Sequence, residues 1–154
     1  MEAKHRETIA LDETIIKVNG RPFYLYAALD VERNELVWMR VYAARNYLTT
    51  LDFVKTVLRY CKNKPCFVVD EGPWYTGVFQ RLGVRREHET FGRRSKVESV
   101  FSSYKQRSRV YFNNFNINFK GRLKKEDKRL WWRRALQQAN FFAFTFIIYY
   151  NQLR

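Results

Sequence analysis

The sequence has only two cysteines, Cys61 and Cys66, and two histidines, His5 and His88. It holds neither a C-x-x-C pair nor an H-E-x-x-H motif, which argues against a zinc site. The two cysteines read as ordinary buried thiols of a reducing cytosol. Glycine and proline are scarce, at 6 and 3 residues, so no linker or low-complexity segment breaks the chain. Long apolar runs are missing too. Phe141 to Tyr150 covers ten residues, half of what crosses a bilayer. The first residues, Met1 to Glu7, are largely charged, unlike a secretory signal. These absences lead us to expect a soluble, cytoplasmic protein.

What is abundant is aromatic side chain and positive charge. Of the 154 residues, 46% are hydrophobic and 18% aromatic, enough for one domain with a sizeable core. The net charge is +14. A fold does not need such an excess, so a polyanionic partner is the natural explanation. Residues 1–70 carry 11 Lys and Arg against 9 Asp and Glu, whereas residues 71–154 carry 18 against 6. The anion should therefore lie mostly along the C-terminal half.

The chain opens with three strands. Thr8 to Val18 is β-branched and ends at the turn signal Asn19-Gly20. Phe23 to Leu29 is an unbroken apolar run, as in a strand covered on both faces, and Glu35 to Ala43 follows after a polar turn. Such short connections imply an antiparallel meander. A helix is expected from about Thr50 to Cys61, with Leu51, Val54, Val57, Leu58 and Cys61 on its apolar face. Cys66 to Asp70 reads as a buried strand parallel to the first, and Pro73 opens a helix to Leu82. Val84 to His88 is a short fifth strand. A helix runs from near Ser95 to Arg107, the stretch Tyr111 to Lys125 is either a loop or a strand, and Glu126 to Leu153 is a long helix. Trp132, Ala135, Ala139, Phe142, Phe146 and Tyr150 form its packing stripe.

Three carboxylates fall where acids are expensive. Asp12 lies inside the first strand, Asp70 closes the fourth, and Glu98 sits near the start of a basic helix. Acids brought together lose solvation and repel unless a cation lies between them. Hard oxygen ligands at a strand middle, a strand end and a facing helix suit Mg²⁺, and two such ions about 4 Å apart can cut a phosphodiester. Each acid also has a structural explanation. Asp12 could be a surface residue beside Glu13, Asp70 could end a strand, and Ser95-Lys96-Val97-Glu98 fits an S-x-x-E capping box. Glu87 and Glu89 are the next candidates for a third acid.

The spacing and surroundings of these acids resemble the DDE domain of prokaryotic insertion-sequence transposases, within the integrase and ribonuclease H-like superfamily. The landmarks are the strand Asp12-Glu13-Thr14-Ile15-Ile16-Lys17-Val18-Asn19-Gly20 followed by Phe23 to Asp30, then Asp70 with Pro73 and Tyr75, then Glu98 with Lys105 seven residues on. The likeness covers residues 8 to about 110. The gap of 27 residues between Asp70 and Glu98 is shorter than in the group it most resembles. The chain also begins almost at the first catalytic strand, so we expect a core without the usual N-terminal DNA-binding module: a truncated copy, a separately encoded core or an inactivated remnant.

The resemblance implies an α/β, ribonuclease H-like fold. Its mixed five-stranded sheet would combine the antiparallel meander with parallel strands, flanked by helices and a long C-terminal helix. Residues 1–110 would form the catalytic core, and 111–154 a basic extension packing on it as part of one domain. It further implies a transposase, working near the nucleoid, that cleaves DNA and transfers strands. Two Mg²⁺ or Mn²⁺ ions would be held by Asp12, Asp70 and Glu98, and the protein would act as a homo-oligomer on transposon ends and target DNA. A ribonuclease H-like nuclease without strand transfer and an inactive DNA-binding remnant are the alternatives. Arg93, Arg94, Lys96, Lys105, Arg107 and Arg109 would neutralise phosphate, followed along the chain by Lys120, Arg122, Lys124, Lys125, Lys128, Arg129, Arg133 and Arg134. Trp74 and Tyr75 would either stack on an unpaired base or belong to the core; Trp131 and Trp132 read as core.

Overall fold

The computed structural model describes residues 2–18, 20–89, 92–111 and 125–153. Thr8–Val18 forms strand β1, and the β-branched and apolar residues at its start, Thr8 to Leu11, are all buried. A strand buried on both faces belongs at the centre of a sheet. β1 indeed pairs antiparallel with β2 (Arg21–Asp30) on one side and parallel with β4 (Cys66–Val69) on the other. β3 (Glu35–Tyr42) continues the meander beyond β2, and β5 (Arg86–His88) lies parallel beyond β4. The spatial order is β3-β2-β1-β4-β5, the mixed sheet expected from the sequence.

Alternate residues of β1 serve two cores. Ile9 and Leu11 face helices α1 (Tyr47–Leu58) and α2 (Pro73–Leu82), in a layer with Tyr26, Phe53, Val54, Phe67 and Phe79. Ala10 faces α3 (Arg93–Arg107) and α4 (Lys125–Gln152), with Ala27, Val97, Val100, Tyr104 and Phe146. Small residues at this contact, Ala10 and Ala27 on the sheet and Ala135, Ala139 and Ala143 on α4, are fully buried and let the helix approach closely. The expected stripe on α4 packs as read: Ala135, Ala139, Phe146 and Tyr150 are buried, and Trp132 and Phe142 partly so.

Helix α1 starts three residues before its expected position. Asn46 caps it, accepting the Thr49 N–H at 3.1 Å, while the Thr49 hydroxyl accepts the Asn46 N–H at 3.1 Å. The reciprocal pair needs only an acceptor at each position, so it carries no S-x-x-E signature. The helix also ends earlier, and Cys61 instead bridges Lys4. Proline opens α2 as expected, and Gly83 closes it with φ at +59°, a left-handed conformation that glycine adopts without steric cost.

The edge of β3 is covered by two asparagines of α4. Asn151 accepts the Leu36 N–H at 2.8 Å and donates to the Leu36 carbonyl at 2.9 Å. Asn140 does the same to Val41, at 2.8 and 3.1 Å. Positions 36 and 41 differ by an odd number, so on a regular strand their backbone groups would point to opposite edges. A bulge between the pairs Ala28–Trp38 and Leu29–Leu36 supplies the extra residue. Beside Leu36, at the same end of the sheet, Arg6 is buried against Asp30 at 2.7 Å, contacts Glu35 at 3.4 Å and donates to the Tyr60 carbonyl at 3.2 Å, tying the N-terminal segment to the turn after β2.

The segment expected to be a loop or strand falls mainly on residues 112–124, outside the described residues, as do Lys120, Arg122 and Lys124.

Candidate active site

The β1–β4 ladder decides where the first two carboxylates go. Its pairs are Thr8 with Cys66, Ile9 with Phe67 and Ala10 with Val68. Continuing that offset brings Asp12 level with Asp70. β4 stops at Val69 and the chain turns, Gly72 N–H bonding the Asp70 carbonyl at 2.9 Å, whereas β1 runs on to Val18. A crevice therefore opens past the carboxyl ends of two parallel strands, the general place for ligands in open α/β sheets.

Asp12 is 8% exposed and lies on the α3 side of the sheet, two residues from Ala10. Its Oδ1 accepts the Glu13 N–H at 2.9 Å. Burial pushes its carboxyl up from 3.8 to about 6, outweighing the opposing pull of Arg94. Asp70 is more open and accepts the Glu71 N–H at 2.8 Å. One atom, Nη2 of Arg94, lies between the two acids, 3.4 Å from Asp12 Oδ2 and 3.1 Å from Asp70 Oδ2. The Arg94 Nε is buried with no hydrogen-bond partner among the described residues.

Helix α3 presents the rest of the expected site. It begins at Arg93 with Gly92 as its cap, so Ser95 lies within the first turn and no S-x-x-E box forms. Glu98 is thus not consumed in capping; it is exposed and pairs with no described residue. Arg94, Glu98 and Lys105 lie four and seven residues apart, on one helical face. Lys105 Nζ donates to the Thr14 hydroxyl at 2.9 Å, and Thr14 is on the same face of β1 as Asp12. Glu98 therefore stands on a helix face between two side chains that both reach β1 residues, Arg94 to Asp12 and Lys105 to Thr14. Among the described residues no three His, Cys, Asp or Glu are grouped so as to hold a metal ion together; Glu98 does not join the aspartates in this arrangement.

The donor set suits a hard divalent ion in part. Two carboxylates from adjacent strands already share a cationic group, and both are oxygen ligands of the type Mg²⁺ prefers. The third acid is on the neighbouring helix, one turn from the group that links the other two.

The other basic residues point in several directions. Arg93 pairs with Glu87 and Glu89, each at 2.7 Å, and its N–H donates to Glu89 Oε1 at 2.9 Å. Glu89 thereby serves the start of α3, and a Cβ on Gly92 would sit 2.4 Å from its carboxylate. Lys96 donates to the Val31 carbonyl at 3.0 Å, at the Thr8 end of β1. Arg107 lies over Tyr149 of α4, 4.1 Å from the ring centre, and donates to Ser103, while Arg109 is exposed.

On the opposite face, the buried Tyr75 donates its hydroxyl to Glu13, which Arg45 also contacts at 3.4 Å. Trp74 is half-buried, with Arg45 over its ring at 4.7 Å. Sequence reasoning missed Thr14 and Arg45. Thr14 stands in the quoted Asp-Glu-Thr strand, two residues from Asp12, and that spacing was the available signal; Arg45 carries none.

Residues 6–122 match the DDE domain family of the IS240 transposase type. The chain is 43% identical over 119 residues to the uncharacterized protein MJ0017 of Methanocaldococcus jannaschii, covering 77% of this chain and 56% of that protein. It is 43% identical over 54 residues to the uncharacterized protein aq_aa24 of Aquifex aeolicus, covering 35% and 45%. The chain thus spans about half the length of the curated relatives it matches.

Among solved structures, an HTLV-2 integrase catalytic core in complex with magnesium superposes with a TM-score of 0.61, at 12% identity over 97% of this chain and 89% of that one. A chain of a simian T-cell lymphotropic virus intasome gives 0.67, at 12% identity over 100% and 53%. These likenesses show the fold: a five-stranded mixed sheet with flanking helices, as in integrase catalytic cores. With the family match spanning most of the sequence, the chain belongs to the transposase DDE domain family.

Proposed function

We propose that this chain is the catalytic core of a transposase that cuts DNA at a transposon end and joins the freed 3′ hydroxyl to a target. The observation that carries this reading is that Asp12 of β1 and Asp70, which directly follows the adjacent parallel strand β4, share one cationic group between them. Asp12, Asp70 and Glu98 would hold two Mg²⁺ or Mn²⁺ ions. When bound, such ions activate an attacking oxygen and stabilise the leaving one.

The protein's own side chains set the stage. Asp12, deprotonated above about pH 6, offers a rigid carboxylate whose second oxygen is fixed by the Glu13 N–H. Glu98 shares its helix face with Arg94 and Lys105, which both contact β1, and would complete the donor set on metal binding. Lys105, held by Thr14, points an ammonium at the phosphate beside the cleavage point. Arg94, Lys96 and Arg107 add positive potential along α3 and Arg109 just beyond it, while Glu87 and Glu89 offset the charge of Arg93. Trp74, four residues past Asp70, is the aromatic side chain proposed to stack on a freed base once Arg45 leaves its ring. Positioning and charge stabilisation carry most of a phosphoryl transfer of this kind.

Homo-oligomers on DNA are part of this reading. It is supported by the dimeric and trimeric forms of the HTLV-2 core and by the intasome among the structural neighbours. A cytoplasmic, nucleoid-associated protein is proposed from the match to the DDE domain family. The test is incubation with Mn²⁺, a pre-nicked transposon end and a supercoiled target. Joined product supports a transposase. Cutting without joining would replace it by a ribonuclease H-like nuclease, and neither activity would leave a DNA-binding remnant.

A further inference from the structure

We infer that Arg94 is an internal placeholder for the metal, which DNA phosphate draws away so that metal and DNA bind cooperatively; this rests on the metal-site reading of Asp12 and Asp70. A single nitrogen, Arg94 Nη2, contacts Oδ2 of both aspartates. A cation bridging the same two oxygens needs the same space. Metal bound there and the guanidinium in its present position exclude one another.

The guanidinium is held firmly enough to matter and loosely enough to leave. Its contacts of 3.4 and 3.1 Å are longer than the ~2.7–2.9 Å of a well-formed charge-assisted bond. Its Nε is buried without a partner among the described residues, and an unpaired buried donor is costly. Two carboxylates without any cation would also be costly. Arg94 therefore neutralises the site while no metal is bound, and gains by moving once a better set of acceptors arrives. A DNA phosphate offers that set, because a guanidinium binds phosphate in a bidentate fork. The side chain is 15% exposed, so part of it borders solvent. Arg94 thus serves the aspartates in the free protein and the phosphate in the complex, and the exchange vacates the metal position.

Linkage makes this measurable without turnover. If phosphate removes the competitor, DNA raises metal affinity and metal raises DNA affinity by the same factor. Mn²⁺ binding is to be titrated by electron paramagnetic resonance, with and without a short duplex, on wild type, Arg94→Gln, Arg94→Lys and Asp12→Asn. Arg94→Gln should bind Mn²⁺ about tenfold or more tightly without DNA, the equivalent of one lost charged contact, and the duplex should raise its affinity much less than that of wild type. Arg94→Lys keeps the charge but not the planar fork, and should fall between the two. Circular dichroism shows whether each variant is folded; if Arg94→Gln is not, the lysine variant decides.

Unchanged or weaker Mn²⁺ binding in the folded Arg94 variants would overturn the inference, provided that wild type binds and Asp12→Asn does not. If wild type and Asp12→Asn bind Mn²⁺ alike, with and without duplex, the metal-site reading itself fails.

Discussion

Replacing Asp12 with asparagine should stabilise the metal-free protein. Burial raises the folded-state pKa of this carboxyl from 3.8 to about 6. Below about pH 4 both folded and unfolded chains keep the proton, and the group costs nothing. Between about pH 4 and 6 the unfolded chain releases it first, so stability falls as pH rises. Above about pH 6 the full penalty is present: about two pH units at 1.36 kcal/mol each, or about 3 kcal/mol. Asparagine cannot ionise, and its amide oxygen can still accept the Glu13 N–H. Arg94 loses one of its two carboxylate contacts, which subtracts part of the gain. The net expectation is about 1–3 kcal/mol near pH 7.5, and about 2–4 °C in Tm for each kcal/mol. Thermal denaturation in a chelator, from about pH 4 to about pH 7.5, reads the difference directly. The variant should melt with wild type at the acid end and progressively above it toward neutrality. A difference that is flat with pH, or a variant that melts lower near neutrality, would refute the reasoning. Added Mn²⁺ should then favour wild type, because ligand binding stabilises only the form that holds it.

Asn151→Ala should leave the Leu36 N–H and carbonyl unpaired at the β3 edge, costing about 1–3 kcal/mol in urea denaturation. An uncovered edge also templates pairing with another chain, so sedimentation should show concentration-dependent association. Asp30→Ala leaves the buried Arg6 with only the longer Glu35 contact, at 3.4 Å, as a charged partner and should cost up to about 3–5 kcal/mol, whereas joint replacement of Arg6 and Asp30 by apolar residues should recover most of it. Lys105→Ala should weaken binding of a cleaved end and slow cutting by less than loss of any proposed metal ligand. Its log–log salt dependence of DNA binding should be shallower by about 0.9, the loss of one phosphate contact.

Much of the fold was legible because local and tertiary signals agree. The apolar β2 run, the turn at Gly20, Pro73 at a helix start and the Trp132 to Tyr150 stripe of α4 each report burial or backbone geometry through residue type alone. The helix starts were less legible. Asn46 and Thr49 cap α1 without an acidic partner, and Ser95, which fits a capping pattern, lies inside α3 because the chain passes Glu89 and Gly92 first. Phe53 escaped the apolar face read for α1 because it lies at that face's margin.

In the candidate site, Asp12 and Asp70 could be singled out because a carboxylate in an apolar strand is anomalous in one dimension as well as three. Their partners could not be. Charge density marked α3 as basic, but not that Arg93 serves Glu87 and Glu89, Arg94 the aspartates, Lys96 the Val31 carbonyl and Arg107 Tyr149. Those directions follow from the 3.6-residue turn combined with how α3 crosses the sheet. The asparagines on the β3 edge were invisible for the same reason, since their partners lie 99 and 115 residues away in sequence.

The most direct test of the central proposal is metal-dependent nicking of transposon-end DNA by wild type and by Asp12→Ala, Asp70→Ala and Glu98→Gln, with DNA binding measured in parallel. Wild type should cut with Mg²⁺ or Mn²⁺ and be silent in chelator. Each variant should lose cutting while still binding DNA, and their combinations should be no worse than the single changes, since the three act as one site. A variant that cuts at the wild-type rate would remove that residue from the site, and cutting that persists in chelator would contradict the proposal as a whole.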